Sequence, residues 1–400
     1  MTRFANNSYS VRAGLLTPPV FVEKFSEYRK MWAELDSSVS SGHYPEKPLC
    51  IDIEVASICD LECPYCFRSS LATPDKIMKF EDCKTLISQV AEWGVPSIKL
   101  NWRGEPLMHP KIVEIVSFAK TKGILEVLIN TNATHLTESV MANLIDAGLD
   151  VLIISMDGAD AAVYEKNRPG RFRENKFEAI LGNITRAFRV RATMGQRFPY
   201  FQIQGVGTNE LLAQAELYLN VFGDICDELV INPYSERGLG LSAENELSKS
   251  SSEEDGNYPL LEMITWDQKV HRAYKRKPCA QPFQRMLITY DGRVAACCYD
   301  WGAMHPIGYT LCDRAELSVN PNIIVKERAD RQRPGYGILG DLNMPEDSPL
   351  TDVFDKRSLP EIWAGPGSAY LKQSMMAGNI SAVEMCRHCD FKDTYVWEKN

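Results

Sequence analysis

From Leu49 onward, short apolar runs alternate with amphipathic stretches, and this rhythm limits the possible folds more than any other feature of the sequence. Runs near 49–55 (LCIDIEV), 97–101, 125–130, 149–155, 200–206 and 228–232 predict strands. The segments near 81–93, 110–122, 136–147, 174–194 and 209–221 predict the helices between them. Six strand-helix units in series imply a parallel sheet, and right-handed crossovers curl such a sheet into a barrel or part of one. The expected class is α/β, a partial (β/α)6 TIM-like barrel over residues 49–241, with functional groups gathered at the C-terminal strand edges.

The flanking segments read differently. Residues 1–48 form a polar arm followed by a helix near Val20 to Leu35, with Phe21, Phe25, Tyr28, Met31 and Trp32 at helical spacing, which predicts packing against the body. Residues 242–257 (SAENELSKSSSEEDGN) have almost no large apolar side chain and are expected to be an acidic, Ser-rich linker. The last portion, 258–400, is expected to be a second domain. In it, short strands around 285–297 flank Asp291-Gly292, a hairpin turn signal, and a helix follows near 358–377. Residues 302–345 read as a long irregular insertion.

Charge narrows the partners. Lys plus Arg is 44 and Asp plus Glu is 53, giving −9, which argues against general affinity for nucleic acid or anionic membranes. No apolar run has the length of a signal peptide or a membrane span, so a cytoplasmic protein is expected. In a reducing compartment, closely spaced cysteines bind metal or do redox chemistry more often than they form disulfides. The positions of the twelve cysteines therefore matter.

Just after the first predicted strand stands Cys59-Asp60-Leu61-Glu62-Cys63-Pro64-Tyr65-Cys66. One loop can wrap three thiolates around a metal centre, and three ligands leave one iron of a four-iron cluster without a protein ligand. A structural zinc site is the alternative, although zinc usually takes paired C-x-x-C ligands with a fourth Cys or His close by. This C-x-x-x-C-x-aromatic-C segment at the head of a six-unit β/α series resembles the radical S-adenosylmethionine (SAM) enzymes over about residues 49–232. In that family the open iron chelates SAM, and reduction of the cluster cleaves the sulfonium to methionine and a 5′-deoxyadenosyl radical.

The resemblance implies Cys59, Cys63 and Cys66 as ligands and Tyr65 as the residue whose backbone approaches adenine. Trp102-Arg103-Gly104-Glu105-Pro106 is similar to the family's glycine-glycine-glutamate motif, with Gly104 allowing close approach and Glu105 receiving the methionine ammonium. Arg103 departs from the motif's first glycine, and G-E-P taken alone reads equally as a helix N-terminal cap. Asn132, Ser155 and Asp157 fall where the family lines its SAM pocket, although Asp-Gly also favours a turn. Arg168 resembles an arginine that pairs with the SAM carboxylate, with Arg171 and Arg173 as rivals. Gln204, in Gln204-Gly205-Val206-Gly207, falls where the family has a loop near adenine.

The other chemically placed cysteines are Cys279, Cys297 and the pair in Cys386-Arg387-His388-Cys389. Cys279 and Cys297 bracket the predicted hairpin, so folding it brings them together where the distant C-x-x-C can close a four-thiolate site, for a cluster or for zinc. This half resembles the SPASM and twitch extensions of radical SAM enzymes. The likeness runs through Cys279-x-x-Pro282-Phe283, Asp291-Gly292-Arg293-Val294, Cys297-Cys298, Gly340-Asp341-Leu342 and Leu359-Pro360-Glu361-Ile362-Trp363. No cysteine follows Cys389, so one auxiliary [4Fe-4S] cluster is expected, held by Cys279, Cys297, Cys386 and Cys389, with Cys298 as the rival of Cys297. Of the remaining thiols, Cys312 in the insertion is a candidate hydrogen donor to a substrate radical.

These readings imply an enzyme with a SAM-binding [4Fe-4S] cluster, an auxiliary cluster, and an external one-electron reductant such as flavodoxin or ferredoxin. The expected reaction is hydrogen abstraction from a small carbohydrate-like or aminocyclitol substrate, leading to oxidation or epimerisation. The alternatives are a radical SAM peptide maturase and a non-catalytic iron-sulfur electron carrier. Trp102, Trp266 and Trp301 are candidates for stacking on sugar faces or for packing between domains.

Overall fold

The structure, a computed structural model, describes residues 2–3, 9–10, 19–40, 42–66, 68, 74–233, 262–264, 270–300, 302–303, 305–313, 355–383, 386, 389, 391 and 394–397. The expected linker at 242–257, the Gly340-Asp341-Leu342 motif, Trp266, Trp301, His388 and most of the 302–345 insertion lie outside the described residues.

Short strands β1 (Thr2–Arg3) and β2 (Tyr9–Ser10) and helix α1 (Pro19–Ser40) precede the repeating units. The units run β3 (Cys50–Ile53), α2 (Phe80–Trp93), β4 (Ser97–Lys99), α3 (Ile112–Thr121), β5 (Glu126–Thr131), α4 (Glu138–Asp146) and β6 (Val151–Ser155). They continue through α5 (Ala161–Asn167), α6 (Phe177–Thr193), β7 (Tyr200–Gly207), α7 (Asn209–Ala213), α8 (Ala215–Phe222) and β8 (Glu228–Pro233). After them come β9 (Glu262–Ile264), β10 (Val270–Arg276), α9 (Gln281–Gln284), β11 (Arg285–Ile288), β12 (Arg293–Ala295), β13 (Pro306–Tyr309), α10 (Leu359–Ala364), α11 (Pro366–Met376) and β14 (Tyr395–Trp397).

Strands β3 to β8 pair in chain order, all parallel, which is the partial barrel expected from the alternation. The hairpin strand β11 adds in parallel to β3, with Arg285 opposite Cys50 and Ile288 opposite Ile53, so β11-β12-β13 extends the barrel sheet. Strands β9, β10 and β14 form a separate antiparallel sheet.

Residue alternation assigns the two faces. Ile51, Ile53, Ile98, Val127, Ile129, Leu152, Ile154, Phe201, Ile203, Leu229 and Ile231 are buried in one core with helix residues such as Leu86, Val90, Val116, Leu144 and Ile184. Each such side chain contributes ~1.5–3 kcal/mol. The opposite, concave face carries Asp52, Glu54, Ser97, Lys99, Glu126, Asn130, Ser155, Gln202, Gln204, Glu228 and Asn232, at matching register positions.

Helix α1 closes the N-terminal end of this polar face. The Tyr28 hydroxyl donates to Glu126 at 2.9 Å, the Ser97 hydroxyl donates to the same carboxylate at 3.1 Å, and Arg29 pairs with it. Trp32 lies 4.9 Å under the guanidinium of Arg285, which itself pairs with Asp52 at 3.0 Å. Phe25 and Leu35 are buried as the periodicity predicts, whereas Met31 is 48% exposed and faces away.

Two expected helices are broken in the structure. The 358–377 segment divides into α10 and α11 because Pro366 has no N–H and holds Gly365 extended (φ −72°, ψ 170°). The 209–221 segment divides at Gln214, whose backbone leaves the helical region. Among the described residues, no helix is long and apolar enough to cross a membrane.

Candidate active site

The first cysteine loop leaves the C-terminal end of β3 and is zipped to the segment after α5. The Glu62 amide donates to Pro169 O at 2.9 Å, the Arg171 amide donates to Asp60 O at 2.8 Å, and Leu61 bridges Gly170. A tight turn places the Cys66 amide on Cys63 O at 3.0 Å. Burial, reinforced by the charges of Glu105 and Cys66, pushes the Cys59 thiol up to about 12. Burial also raises Cys63, which Arg168 partly offsets and Cys66 and Cys59 reinforce. The three thiols thus share one electrostatic neighbourhood.

Glu105 is buried between two strand ends. It accepts from the Leu107 amide at 3.0 Å, capping the short turn Pro106–Met108, from the Thr131 hydroxyl at 2.6 Å and from the Asn132 amide at 2.7 Å. Burial raises its carboxyl to about 7 against these three donors. The cap reading of this residue is met by the Leu107 amide, and a cation placed beside the carboxyl would favour its ionised form. Gly104 is needed for close approach to backbone: a Cβ there would meet Ala56 O at 2.3 Å and Ile58 O at 2.5 Å. The loop after β4 thereby seats directly on the residues that lead into Cys59, and the Glu105 amide donates to Ile58 O at 2.8 Å.

Asn132 turns its side-chain amide to Asp60 at 2.9 Å and toward the Cys59 sulfur at 3.9 Å. Ala133 follows in the left-handed region (φ 63°), an uncommon conformation for a residue with a Cβ, held by its own amide on the Thr131 hydroxyl at 3.0 Å. Although burial raises Asp60, donors on His135, Asn132 and Thr134 hold its carboxyl down to about 2.

Tyr65, Asp157 and Arg168 converge. The Tyr65 hydroxyl donates to Asp157 Oδ2 at 2.6 Å, Arg168 Nε donates to the same oxygen at 2.5 Å, and the Val206 amide donates to Oδ1 at 2.7 Å. The family resemblance pairs Arg168 with a SAM carboxylate; in the structure its Nε is committed to Asp157. Its rival Arg171 pairs instead with Asp75 at 2.8 Å.

Along the concave face the strand ends carry a continuous uncharged row. Ser155 donates to Asn130 at 3.4 Å, Gln204 donates to Asn130 at 3.3 Å, and Asn232 donates to Gln204 at 3.2 Å. No sequence motif marks Asn232 as a site residue, and its position at a strand end is the one signal that points to it.

The structure also accounts for Arg103. Its guanidinium forks onto Glu54 through two bonds of 2.7 Å, both side chains are fully buried, and the Tyr290 amide adds a third bond to Glu54 at 3.1 Å. Arg103 lies 4.3 Å over the Trp102 ring, and Trp102 packs on Leu287, Ala295 and Ala303 of the hairpin region. Trp102 is therefore packing between the barrel and the hairpin.

In the second cysteine set, burial raises Cys279, and so do the charges of Cys389, Cys386 and Cys298. Cys297 is raised first by its hydrogen bond with Cys298 and then by burial, with Cys279 nearby; burial pushes Cys386 up to about 12. The Cys298 thiol also donates to Gln281 at 3.4 Å, and the Cys297 sulfur accepts from the Tyr299 amide at 3.4 Å. Arg276, which spacing gives no reason to select, donates to Cys386 O at 2.6 Å and Cys389 O at 3.1 Å, fastening the C-x-x-C to β10. Cys312 packs at the hairpin turn, its thiol directed to Asp291 O at 3.7 Å, where Gly292 adopts φ 89°.

Among the described residues, no three Cys, His, Asp or Glu side chains are arranged to hold a single metal ion. The donor chemistry nonetheless suits iron-sulfur ligation, because two all-thiol sets lie in buried neighbourhoods, the second with a backbone amide directed at a sulfur. Ligation would expel the thiol protons that burial retains.

Residues 53–193 match the Radical SAM superfamily. The chain is 27% identical over 310 residues to a GTP 3′,8-cyclase of Chlorobaculum tepidum, covering 72% of this chain and 89% of that protein. It is 31% identical over 154 residues to an AdoMet-dependent heme synthase of Methanosarcina barkeri, covering 38% of this chain and 44% of the synthase. Among solved structures, BtrN in complex with AdoMet and 2-DOIA aligns with a TM-score of 0.45 at 15% identity, over 86% of this chain and 93% of that one.

Proposed function

We propose that this chain, which carries a radical SAM domain over residues 53–193, cleaves SAM reductively and abstracts hydrogen from a small, hydroxyl-rich substrate of the carbohydrate or aminocyclitol class. Cys59, Cys63 and Cys66 would hold the SAM-binding cluster, and Cys279, Cys297, Cys386 and Cys389 an auxiliary one. When bound, the first cluster and SAM supply a 5′-deoxyadenosyl radical able to attack an unactivated C–H bond.

The protein's own part is to bind, orient and exclude water. Glu105, with Asn132 beside it, offers a carboxylate to the methionine ammonium. Tyr65, Asp157 and Arg168 form a rigid neutralised unit beside Cys63, and Gly104 keeps the loop after β4 pressed on the cysteine loop. An external one-electron reductant such as flavodoxin or ferredoxin would serve the cluster, and the product would arise by oxidation or epimerisation.

The observation that carries the substrate class is the row Asn130, Ser155, Gln204 and Asn232, four uncharged hydrogen-bonding groups on neighbouring strand ends. The guanidinium groups of Arg103, Arg168 and Arg285 are each matched by a carboxylate, which favours a substrate without phosphate. Deuterated aminocyclitols and sugars, with and without phosphate, test this by transfer of label into 5′-deoxyadenosine. Transfer from an unphosphorylated aminocyclitol or sugar is expected, and transfer from phosphorylated donors alone would overturn the class. Replacing Asn130 and Asn232 together by alanine should lower kcat/KM about tenfold, at ~0.5–1.5 kcal/mol per lost hydrogen bond.

A further inference from the structure

A two-link hydrogen-bond relay joins the loop after β4 to the second cysteine set. The indole N–H of Trp102 donates to the carbonyl of Cys298 at 3.2 Å. That carbonyl belongs to the same peptide group as the Tyr299 amide, and the Tyr299 amide donates to the sulfur of Cys297 at 3.4 Å. A donor on a peptide oxygen polarises the group and strengthens the bond its N–H makes, and hydrogen bonds to ligand sulfurs are one of the levers that set cluster potentials. The indole is held firmly in place. Its ring sits 4.3 Å beneath Arg103, which is itself fixed by the buried fork on Glu54, and it packs against Leu287, Ala295 and Ala303. Trp102 stands two residues before Gly104, so any shift of the loop on binding SAM moves the donor end of the relay.

We propose that Trp102 is a positioning residue that raises the reduction potential of the auxiliary cluster through the Cys298–Tyr299 peptide, and so links the state of the SAM loop to that potential. This rests on the auxiliary-cluster reading above and on Cys297 as one of its ligands. The indole N–H acts on charge density at the Cys297 sulfur and takes no electron itself.

The relay is tested by a redox titration of reconstituted full-length protein followed by electron paramagnetic resonance. Trp102→Phe keeps an aromatic ring in the packed position and removes the N–H. The auxiliary signal is expected to titrate at a more negative potential, with the signal of the first cluster unmoved. An unchanged auxiliary potential in a fully loaded variant overturns the relay. If W102F does not assemble the cluster, wild-type protein grown on 5-fluorotryptophan, whose indole N–H is a stronger donor, must show a more positive auxiliary potential, and no movement overturns the proposal. Wild-type protein that binds about four irons instead of about eight removes the auxiliary cluster itself, a failure distinguishable by iron content from failure of the relay.

Discussion

Alanine at Cys59, Cys63 and Cys66 together is expected to lower iron content from about eight per chain to about four and to abolish SAM cleavage. The physical reason is that the two thiol sets have different neighbours: the first lies in the loop after β3 beside Glu105 and Arg168, and the second brackets the hairpin, its C-x-x-C fastened by Arg276. The auxiliary signal should survive, because none of its expected ligands is touched. Iron analysis and paramagnetic resonance of the reconstituted variant check this, and retention of the full iron count would contradict the ligand assignment.

Arg103→Gly restores the glycine that the resembling motif prefers, yet it is expected to be strongly destabilising, by ~3–5 kcal/mol, as is usual when one partner of a buried ion pair is removed. Glu54 would keep the Tyr290 amide but lose both bonds from the guanidinium, and it is fully buried. Trp102 would lose the cation over its ring, so the contact between barrel and hairpin should loosen in the same step. Denaturant unfolding of the full chain measures the loss, and a variant within about 1 kcal/mol of wild type, close to ordinary surface-substitution effects of roughly ±0.5 kcal/mol, would show the pair to be dispensable.

The barrel is legible because β-branched runs and amphipathic helices recur with regular spacing, and all six parallel strands lie within a residue or two of their expected positions. Helix α5, seven residues long, is too short to register a period. Strand β14 pairs with β10 across more than a hundred residues of sequence, Ala273 standing opposite Trp397, and nothing local marks such pairing. The site divides in the same way. Residues with a motif, such as Glu105, Tyr65 and Asp157, can be named, and Tyr65 meets Asp157 in the structure. Their partners cannot: Glu54 finds Arg103 across 49 residues and Arg276 reaches Cys389 across 113. The bond from Arg168 Nε to Asp157 is likewise not marked by any motif.

Generation of a substrate-directed radical from SAM by this chain is decided by incubating anaerobically reconstituted, reduced protein with SAM and measuring 5′-deoxyadenosine. Formation of 5′-deoxyadenosine is expected, increased by an unphosphorylated aminocyclitol or sugar substrate and absent from the Cys59, Cys63 and Cys66 triple variant. A protein fully loaded with iron that makes none, with every candidate substrate present, would contradict it.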